Sequence, residues 1–316
     1  MNYYKITNQD ETHHGLQYKT GLNVDVLPFN PSGDCESGGI YFARKDILAF
    51  LDCGPWIRKV TIPEDAKVYE NPGSPKKWKA DKVILERRSK ITTEKIKQLI
   101  EEGADPKTED SYALRWAAGN GHLEIVKLLL EKGADPKADD SYALRWAAEY
   151  GHLEIVKLLL KEGVDFKKCN NGALQLVAWN GHSKIVKLLL EAGADPKAYD
   201  GLALQWAANN GHLEVVKLLL EAGADPKTCD NLALQRAAEK GHLEIVKLLL
   251  KEGADPKVYN SLALQWAAGN GHFEIVKLLI PVSDLKADDS YALRWASKNG
   301  HLEIAKLLEE AIENPN

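Results

Sequence analysis

Cysteine is scarce in this chain of 316 residues. Cys35, Cys53, Cys169 and Cys229 are the full complement, and no two of them stand in a CxxC spacing. Neither a zinc ribbon nor a disulfide framework is signalled, so reduced thiols and no bound metal are expected. Long apolar runs are missing too. Nothing approaches the roughly 18 apolar residues of a membrane span, and the first residues lack the charged-then-apolar order of a secretory signal. A cytoplasmic protein that engages no membrane is expected. An excess of positive charge is also absent. Residues 1–90 carry +2 and residues 91–316 carry −7, for a net −5, so the larger part offers no basic surface to a phosphate backbone and nucleic acid is not an expected partner. What is present is ordinary for a folded chain: 44% apolar and 28% charged residues, over a length that admits two domains.

The strongest signal is a repeat. Gly-His recurs at 121, 151, 181, 211, 241, 271 and 300, a period of thirty with one deletion at the end, which marks seven units. Each pairs a short apolar stretch, such as Ser111 to Ala118, with a longer one, such as Leu123 to Leu130. Within the longer stretch Leu123, Val126, Leu129 and Leu130 gather on one helical face. Pairs such as Asp110-Ser111, Asn170-Asn171 and Asp230-Asn231 precede the short helices, and their side-chain oxygens are expected to cap free amides there. Gly133, Gly163, Gly193, Gly223 and Gly253 follow the long helices, where a left-handed residue costs least. Asp-Pro pairs such as Asp135-Pro136 then stop the helix. One thirty-residue helix pair cannot enclose its own apolar face, so neighbours must stack.

The string Gly-His-Leu-Glu-Ile-Val-Lys-Leu-Leu-Leu-x-x-Gly-Ala-Asp, repeated along residues 121–255, resembles the ankyrin repeat. The resemblance covers about two-thirds of the chain and implies a solenoid that binds a protein on its concave face. Thr92 to Asp105 match the second helix alone and read as an N-terminal capping half-repeat, while Glu309 and Glu310 replace apolar positions in the last helix, Leu302 to Ile312, as suits an end cap. The chain also departs from the family. Its units are shorter than the usual repeat of about 33 residues, and the shortfall lies between Asp110 and Ser111, where the family's hairpin finger would project; long fingers are not expected. The family's Thr-Pro-Leu-His reads Tyr112-Ala-Leu-Arg115 or Leu202-Ala-Leu-Gln205, so its threonine–histidine hydrogen bonding must be replaced. The Asp-Val-Asn loop reads Asp105-Pro-Lys107, which excludes asparagine hydroxylation there.

The units sort into two types. Units one, two and seven join an acid, a tyrosine and an arginine: Glu109, Tyr112, Arg115; Asp139, Tyr142, Arg145; Asp288, Tyr291, Arg294. Units three to six carry Cys169, Tyr199, Cys229 and Tyr259 at the acid's position and Gln175, Gln205, Gln235 and Gln265 at the arginine's. Tyrosine and arginine three apart on a helix can stack, and the arginine is expected to reach back to the acid of its own unit, unless the pattern records block duplication alone. In the ankyrin arrangement Cys169, Tyr199, Cys229 and Tyr259, with Tyr150, Trp179 and Asn209 at the helix turn, face the concave surface. Tyrosine and tryptophan there suit an interface centre, against the alternative of drift on an exposed face.

Three further series invite a functional reading. Trp116, Trp146, Trp206, Trp266 and Trp295 recur at one helix position, with Leu176 and Arg236 substituting, and packing between inner helices is expected over a binding ladder. Arg236 must then snorkel or find an anion. Histidines 122, 152, 182, 212, 242, 272 and 301 each stand a whole unit apart, too far for a shared metal, and are expected to serve the turn. Lysines 107, 137, 167, 197, 227, 257 and 286 each follow an aspartate by two residues and read as a locally neutral solvated edge.

Residues 1–88 lack the period. Tyr3–Ile6, Gly39–Phe42, Trp56–Ile62, Ala66–Tyr69 and Lys82–Leu85 are expected strands, and Asp46 to Leu51 a helical turn or two. Gly15 to Leu22, Pro28 to Gly33, Gly38 to Phe42, Val60 to Pro63 and Lys79 to Lys82 resemble the domain that precedes short ankyrin repeats in proteins of Mimivirus-like giant DNA viruses, for which no activity is implied. His13, His14, Tyr18 and Glu86 among short strands suggest an ADP-ribosyltransferase-like core, though no acid pair stands where a nicotinamide-cleaving glutamate is expected, and zinc on His13, His14, Cys35 and Cys53 fits no ligand spacing. Lys76-Lys-Trp-Lys79 is expected to be a solvated loop rather than a nucleic-acid contact.

The expectation is therefore a mostly α protein. A β-rich (α+β) domain over 1–88 is followed by a capping half-repeat over 89–105, an ankyrin solenoid of about seven short-looped helix pairs over 106–312, and a tail, 313–316. It is read as a monomeric adaptor without enzymatic activity, cofactor or small-molecule partner, working in the host cytoplasm if the chain is viral. Tyr150, Cys169, Trp179, Tyr199, Asn209, Cys229, Arg236 and Tyr259 would meet the protein partner. The alternative is an enzyme in residues 1–88 with the repeats recruiting its substrate.

Overall fold

The computed structural model describes residues 2–31, 37–165 and 172–314. It forms two compact units, residues 1–147 with 154–165, and residues 148–153 with 166–316.

The first unit opens with an antiparallel sheet. Its strands are β1 (Tyr3–Thr7), β4 (Gly21–Val24), β5 (Ile40–Ala43), β6 (Trp56–Thr61), β7 (Val68–Asn71), β8 (Lys77–Ala80) and β9 (Lys82–Leu85), in the order β4-β9-β6-β1-β5-β8-β7, with β10 (Ser89–Lys90) beside β6. β2 (Thr12–His13) and β3 (Leu16–Gln17) form a separate small hairpin. All five strands expected from sequence are present. β4 and β8 were not legible, because Gly21-Leu-Asn-Val24 and Lys77-Trp-Lys-Ala80 hold too few β-branched and aromatic residues to read as strands. Tyr18, Ile40, Phe42, Val60, Ala80, Val83 and Leu85 build a core on this sheet, closed by Tyr3 and Trp78. The helical turn at Asp46–Leu51 is a 3-10 segment, Ile47–Cys53.

The lysine-rich stretch is a correction. It is strand β8 for most of its length and not a solvated loop: Trp78 packs on Tyr3 at 5.5 Å between ring centroids, and Lys79 is fully buried. The Lys79 stem fits beneath Gly39, and its ammonium lies 3.4 Å from the Tyr41 hydroxyl and over the Tyr41 and Tyr69 rings. Aromatic faces and a hydroxyl replace part of the water that the charge gives up.

Helix α1 (Thr93–Glu101) then starts on Thr92, whose side chain accepts from the Lys95 amide at 3.2 Å. The sheet is bonded to it and to the loop that follows: Asn2 and Tyr4 donate to the Glu102 carboxylate, and the Asp105 amide donates to the Lys45 carbonyl. The helix pair α2 (Thr108–Gly119) and α3 (Leu123–Glu131) comes next, followed by α4 (Ala138–Glu149) and α5 (Leu153–Lys161).

The second unit continues with helix pairs: α6 (Gly172–Asn180), α7 (Ser183–Glu191), α8 (Ala198–Asn209), α9 (Leu213–Glu221), α10 (Thr228–Lys240), α11 (Leu243–Lys251), α12 (Val258–Gly269), α13 (Phe273–Leu279), α14 (Ala287–Lys298) and α15 (Leu302–Glu313). The short apolar stretch of each repeat gives the first (short) helix and the long stretch the second (long) one, although with its left-handed first coil counted the first is as long as or longer than its partner. Short helices bury Ala-Leu and Ala-Ala pairs such as Ala233-Leu234 and Ala237-Ala238; long ones bury Ile/Val-Val and Leu, as in Ile245, Val246 and Leu249. Small alanines permit close approach, while the branched residues fill the stacked interior. The glycine stop signals behave as expected. Gly193 takes φ 91°, and the Gly193 and Ala194 amides return to the Leu190 and Leu189 carbonyls, both at 2.9 Å, which satisfies the helix end.

The start of the short helices differs from expectation. Three successive residues turn left-handed in the first coil: Glu109-Asp110-Ser111, Asp139-Asp140-Ser141, Tyr199-Asp200-Gly201, Cys229-Asp230-Asn231 and Tyr259-Asn260-Ser261. The serine and asparagine oxygens do not cap their own helix. Ser111 Oγ, Asn231 Oδ1 and Ser261 Oγ accept the amides of Asp135, Asp255 and Asp284 in the next loop, at 2.9, 2.7 and 2.8 Å. A left-handed turn occupies the place where longer units have room for a hairpin, and it aims these oxygens across the repeat boundary.

Candidate functional site

The carbonyls of the left-handed turn need donors, and the two residue types at the arginine position supply them. Gln205, Gln235 and Gln265 are buried, and each Nε2 donates back to a turn carbonyl, Asp200, Asp230 or Asn260, at 2.7–2.8 Å. Arg115 bonds the same turn one residue earlier, at the Glu109 carbonyl, at 2.8 Å. These bonds are the replacement for the threonine–histidine pattern. Three consecutive left-handed residues without such support would cost on the order of 1 kcal/mol or more each.

The acid, tyrosine and arginine set is rearranged relative to expectation. Arginine stacks on tyrosine in all three units, with Cζ 5.3, 5.2 and 5.4 Å from the ring centroid for Arg115, Arg145 and Arg294. The acid that Arg115 reaches is not Glu109 but Asp139, one unit on; the Glu109 carboxylate instead accepts from Ser74 Oγ at 2.6 Å. The left-handed turn places Asp139 beside the helix of the preceding unit. The side chain of Asp288 lies outside the described residues. The same forward geometry holds in the second unit, where the Tyr259 hydroxyl donates to Asp230 at 2.6 Å and the exposed Cys229 thiol to the Asp200 carbonyl at 3.8 Å.

The proposed binding residues that the structure describes all fall in the second unit; Cys169 lies outside the described residues. Tyr150, Trp179, Tyr199 and Tyr259 are 60, 44, 55 and 61% exposed, among the largest apolar exposures there. Trp179 stands near the end of α6, its ring edge-on to Trp206 at 5.2 Å and its carbonyl held by Asn210 and His212. Tyr150 sits one register position later in its unit than Trp179 and Asn209 do in theirs. Asn209 turns its amide to Asn210 Oδ1 at 2.7 Å and its carbonyl to His242. Arg236 finds its anion on its own helix, Glu239 at 2.7 Å, and is exposed.

The histidines serve the turn. His182, His212, His242, His272 and His301 each place Nε2 2.8–3.2 Å from a carbonyl at the end of the short helix of the unit before their own. The tryptophans pack between neighbouring short helices, as with Trp266 and Trp295 at 4.9 Å. In the lysine series it is the backbone amide that meets the aspartate: Lys197, Lys227 and Lys257 donate N–H to Asp Oδ1 two residues earlier at 2.9 Å.

The enzyme candidates of residues 1–88 do not converge on one place. His13 and Tyr18 line a cavity that His14 and Glu86 do not, and Glu86 pairs with Lys59 at 3.9 Å. Cys35 lies outside the described residues, and among those described no group of three His, Cys, Asp or Glu is arranged to hold a metal.

The family of ankyrin repeats (3 copies) matches residues 88–170, 116–200, 174–260 and 234–316. The chain belongs to the ankyrin repeat family. Its relatives include ankyrin repeat protein R229 of Acanthamoeba polyphaga mimivirus, 38% identical over 36% of this chain and 40% of the relative. Ankyrin repeat protein R868 of the same virus is 34% identical over 39% of this chain and 64% of its own length, and protein R869, uncharacterized, 37% identical over 39% and 94%. The chain thus spans about half the length of the first two. Ankyrin repeats are protein-interaction modules, and no helix among the described residues is long and apolar enough to cross a membrane. In this ankyrin protein the glutamine-to-carbonyl bonds and the forward-reaching acid were the features sequence reasoning missed. The alternation of arginine with glutamine at one position was their visible trace.

Proposed function

We propose that this ankyrin protein is an adaptor that captures a protein through Tyr150, Trp179, Tyr199 and Tyr259, with residues 1–88 supplying a second contact. The observation that carries the reading is that these four large aromatics are 44–61% exposed, whereas Trp266 and Trp295 pack against each other between units. An exposed ring offers large contact area at low conformational cost, and tyrosine and tryptophan dominate interface centres. In the ankyrin arrangement these positions belong to the concave side. The partner we infer is a host protein, an inference drawn only from the viral source of the similar ankyrin proteins.

The test begins with crosslinking mass spectrometry in infected cells to name the partner, followed by titration of that purified partner. Replacing all four aromatics with alanine is expected to weaken binding by about a hundredfold or more, since individual anchors are worth about 2 kcal/mol, with an unchanged melting temperature. Equal affinity for the quadruple variant refutes the assignment.

A further inference from the structure

The first unit holds a cavity of about 280 Å³ whose walls include Phe42, Ile47, Phe50, Tyr18 and Tyr41. One polar side chain in it is unusual. Lys5 lies in the middle of β1, is 6% exposed, and its Nζ makes a single hydrogen bond to a described residue, the Tyr41 carbonyl at 2.9 Å. The Tyr18 ring lies 4.5 Å beneath the same ammonium. An ammonium carries three donors and a full charge, and a neutral carbonyl and a ring face satisfy only part of that. Among the described residues no carboxylate stands within ion-pair reach of it, whereas the neighbouring buried cation Arg58 has the bidentate Glu11. The described lining of the cavity contains no acidic residue at all, but it does include a second lysine, Lys77, and the exposed His13.

We propose that this cavity binds a small organic monocarboxylate, an apolar or aromatic body with one anionic end, whose carboxylate rests on Lys5. Aromatic and aliphatic walls accept the body by excluding water from it. The carboxylate supplies the charge-assisted hydrogen bonds that the protein does not, in surroundings where such a bond is about twice as strong as a neutral one. Nothing in the residue pattern signalled a small molecule, because Lys5 reads in sequence as an exposed strand lysine. Burial lowers its pKa to about 8, with Cys53 and Asp25 opposing that shift. The other groups facing the cavity that carry or can take charge are Tyr4 from β1, His13 from β2, Tyr18, Tyr41 from β5, the Cys53 thiol and Lys77 from β8.

Calorimetric titration of the full chain with phenylacetate, beside isosteric phenylacetamide, tests this. Saturable binding of the acid, at least tenfold tighter than the amide and lost in Lys5→Met with the melting temperature preserved, is the expected result. Above pH 8 the affinity of the unmodified chain for the acid should fall about tenfold per pH unit as Lys5 loses its proton, while the amide shows no such trend. That arm decides the matter if Lys5→Met does not fold. No saturable binding of phenylacetate in the millimolar range, equal binding of acid and amide, or a flat pH profile overturns the proposal.

Discussion

Replacing Glu11 with glutamine removes one charge from the most enclosed ion pair described. Glu11 is 7% and Arg58 4% exposed, joined by two parallel bonds of 2.7 and 2.9 Å. Arg58 also donates to Thr20 and to the Glu86 carbonyl, and Glu11 accepts from Thr7 and Arg88. The pair therefore ties the base of the β2–β3 hairpin to β6 and to the chain leading into α1. Taking one partner from a buried pair costs about 3–5 kcal/mol, mostly the desolvation of the charge left behind. The amide of Glu11→Gln retains one acceptor, so about 3 kcal/mol is expected, which is roughly two decades in the local opening equilibrium. Hydrogen exchange of the full chain, followed by mass spectrometry, reads this directly. Peptides from β1 and β6 should lose about a hundredfold in protection, with peptides from α9 and α11 unchanged. Arg58→Met should do the same, and the double change Glu11→Leu with Arg58→Met should cost less than the sum of the singles because no charge is stranded. A loss below threefold in either single variant, or additivity in the double, would refute the reasoning.

The same pair sets a pH dependence. The Arg58 hydrogen bond and charge hold the Glu11 carboxyl below its ordinary range. Its stabilisation is therefore complete above the unfolded glutamate value of about 4.3 and disappears as pH falls through the lower folded value. Protection of β1 and β6 should be level from neutral pH down to about 5 and then fall, and Glu11→Gln should flatten that fall. In the second unit, Gly211→Ala meets two obstacles: φ is +80°, and the new Cβ would lie 2.7 Å from His242 Cε1. A loss of about 1–3 kcal/mol follows, seen by calorimetry as a lower melting temperature. Adding His242→Ala should recover the steric part while forfeiting the bond to the Asn209 carbonyl.

Much of the architecture was legible because it is local. The thirty-residue period, the apolar spacing of Leu123 to Leu130 and the glycines after each long helix are patterns in the order of residues along the chain, so the sequence alone reveals them. The exposed candidates Tyr150, Trp179, Tyr199 and Tyr259 were legible for a related reason, since their repeat positions could be compared with those of neighbouring units. Tertiary structure decided the rest. Arg115 bonds Asp139 rather than Glu109, and Ser111 serves Asp135 rather than its own helix, because a left-handed turn reverses where those side chains point. Lys5 and Lys79 look like surface residues in a strand pattern, and only the strands and rings brought over them from distant sequence bury them. Charge burial depends on the whole enclosure of a group, and no spacing along the chain encodes that enclosure.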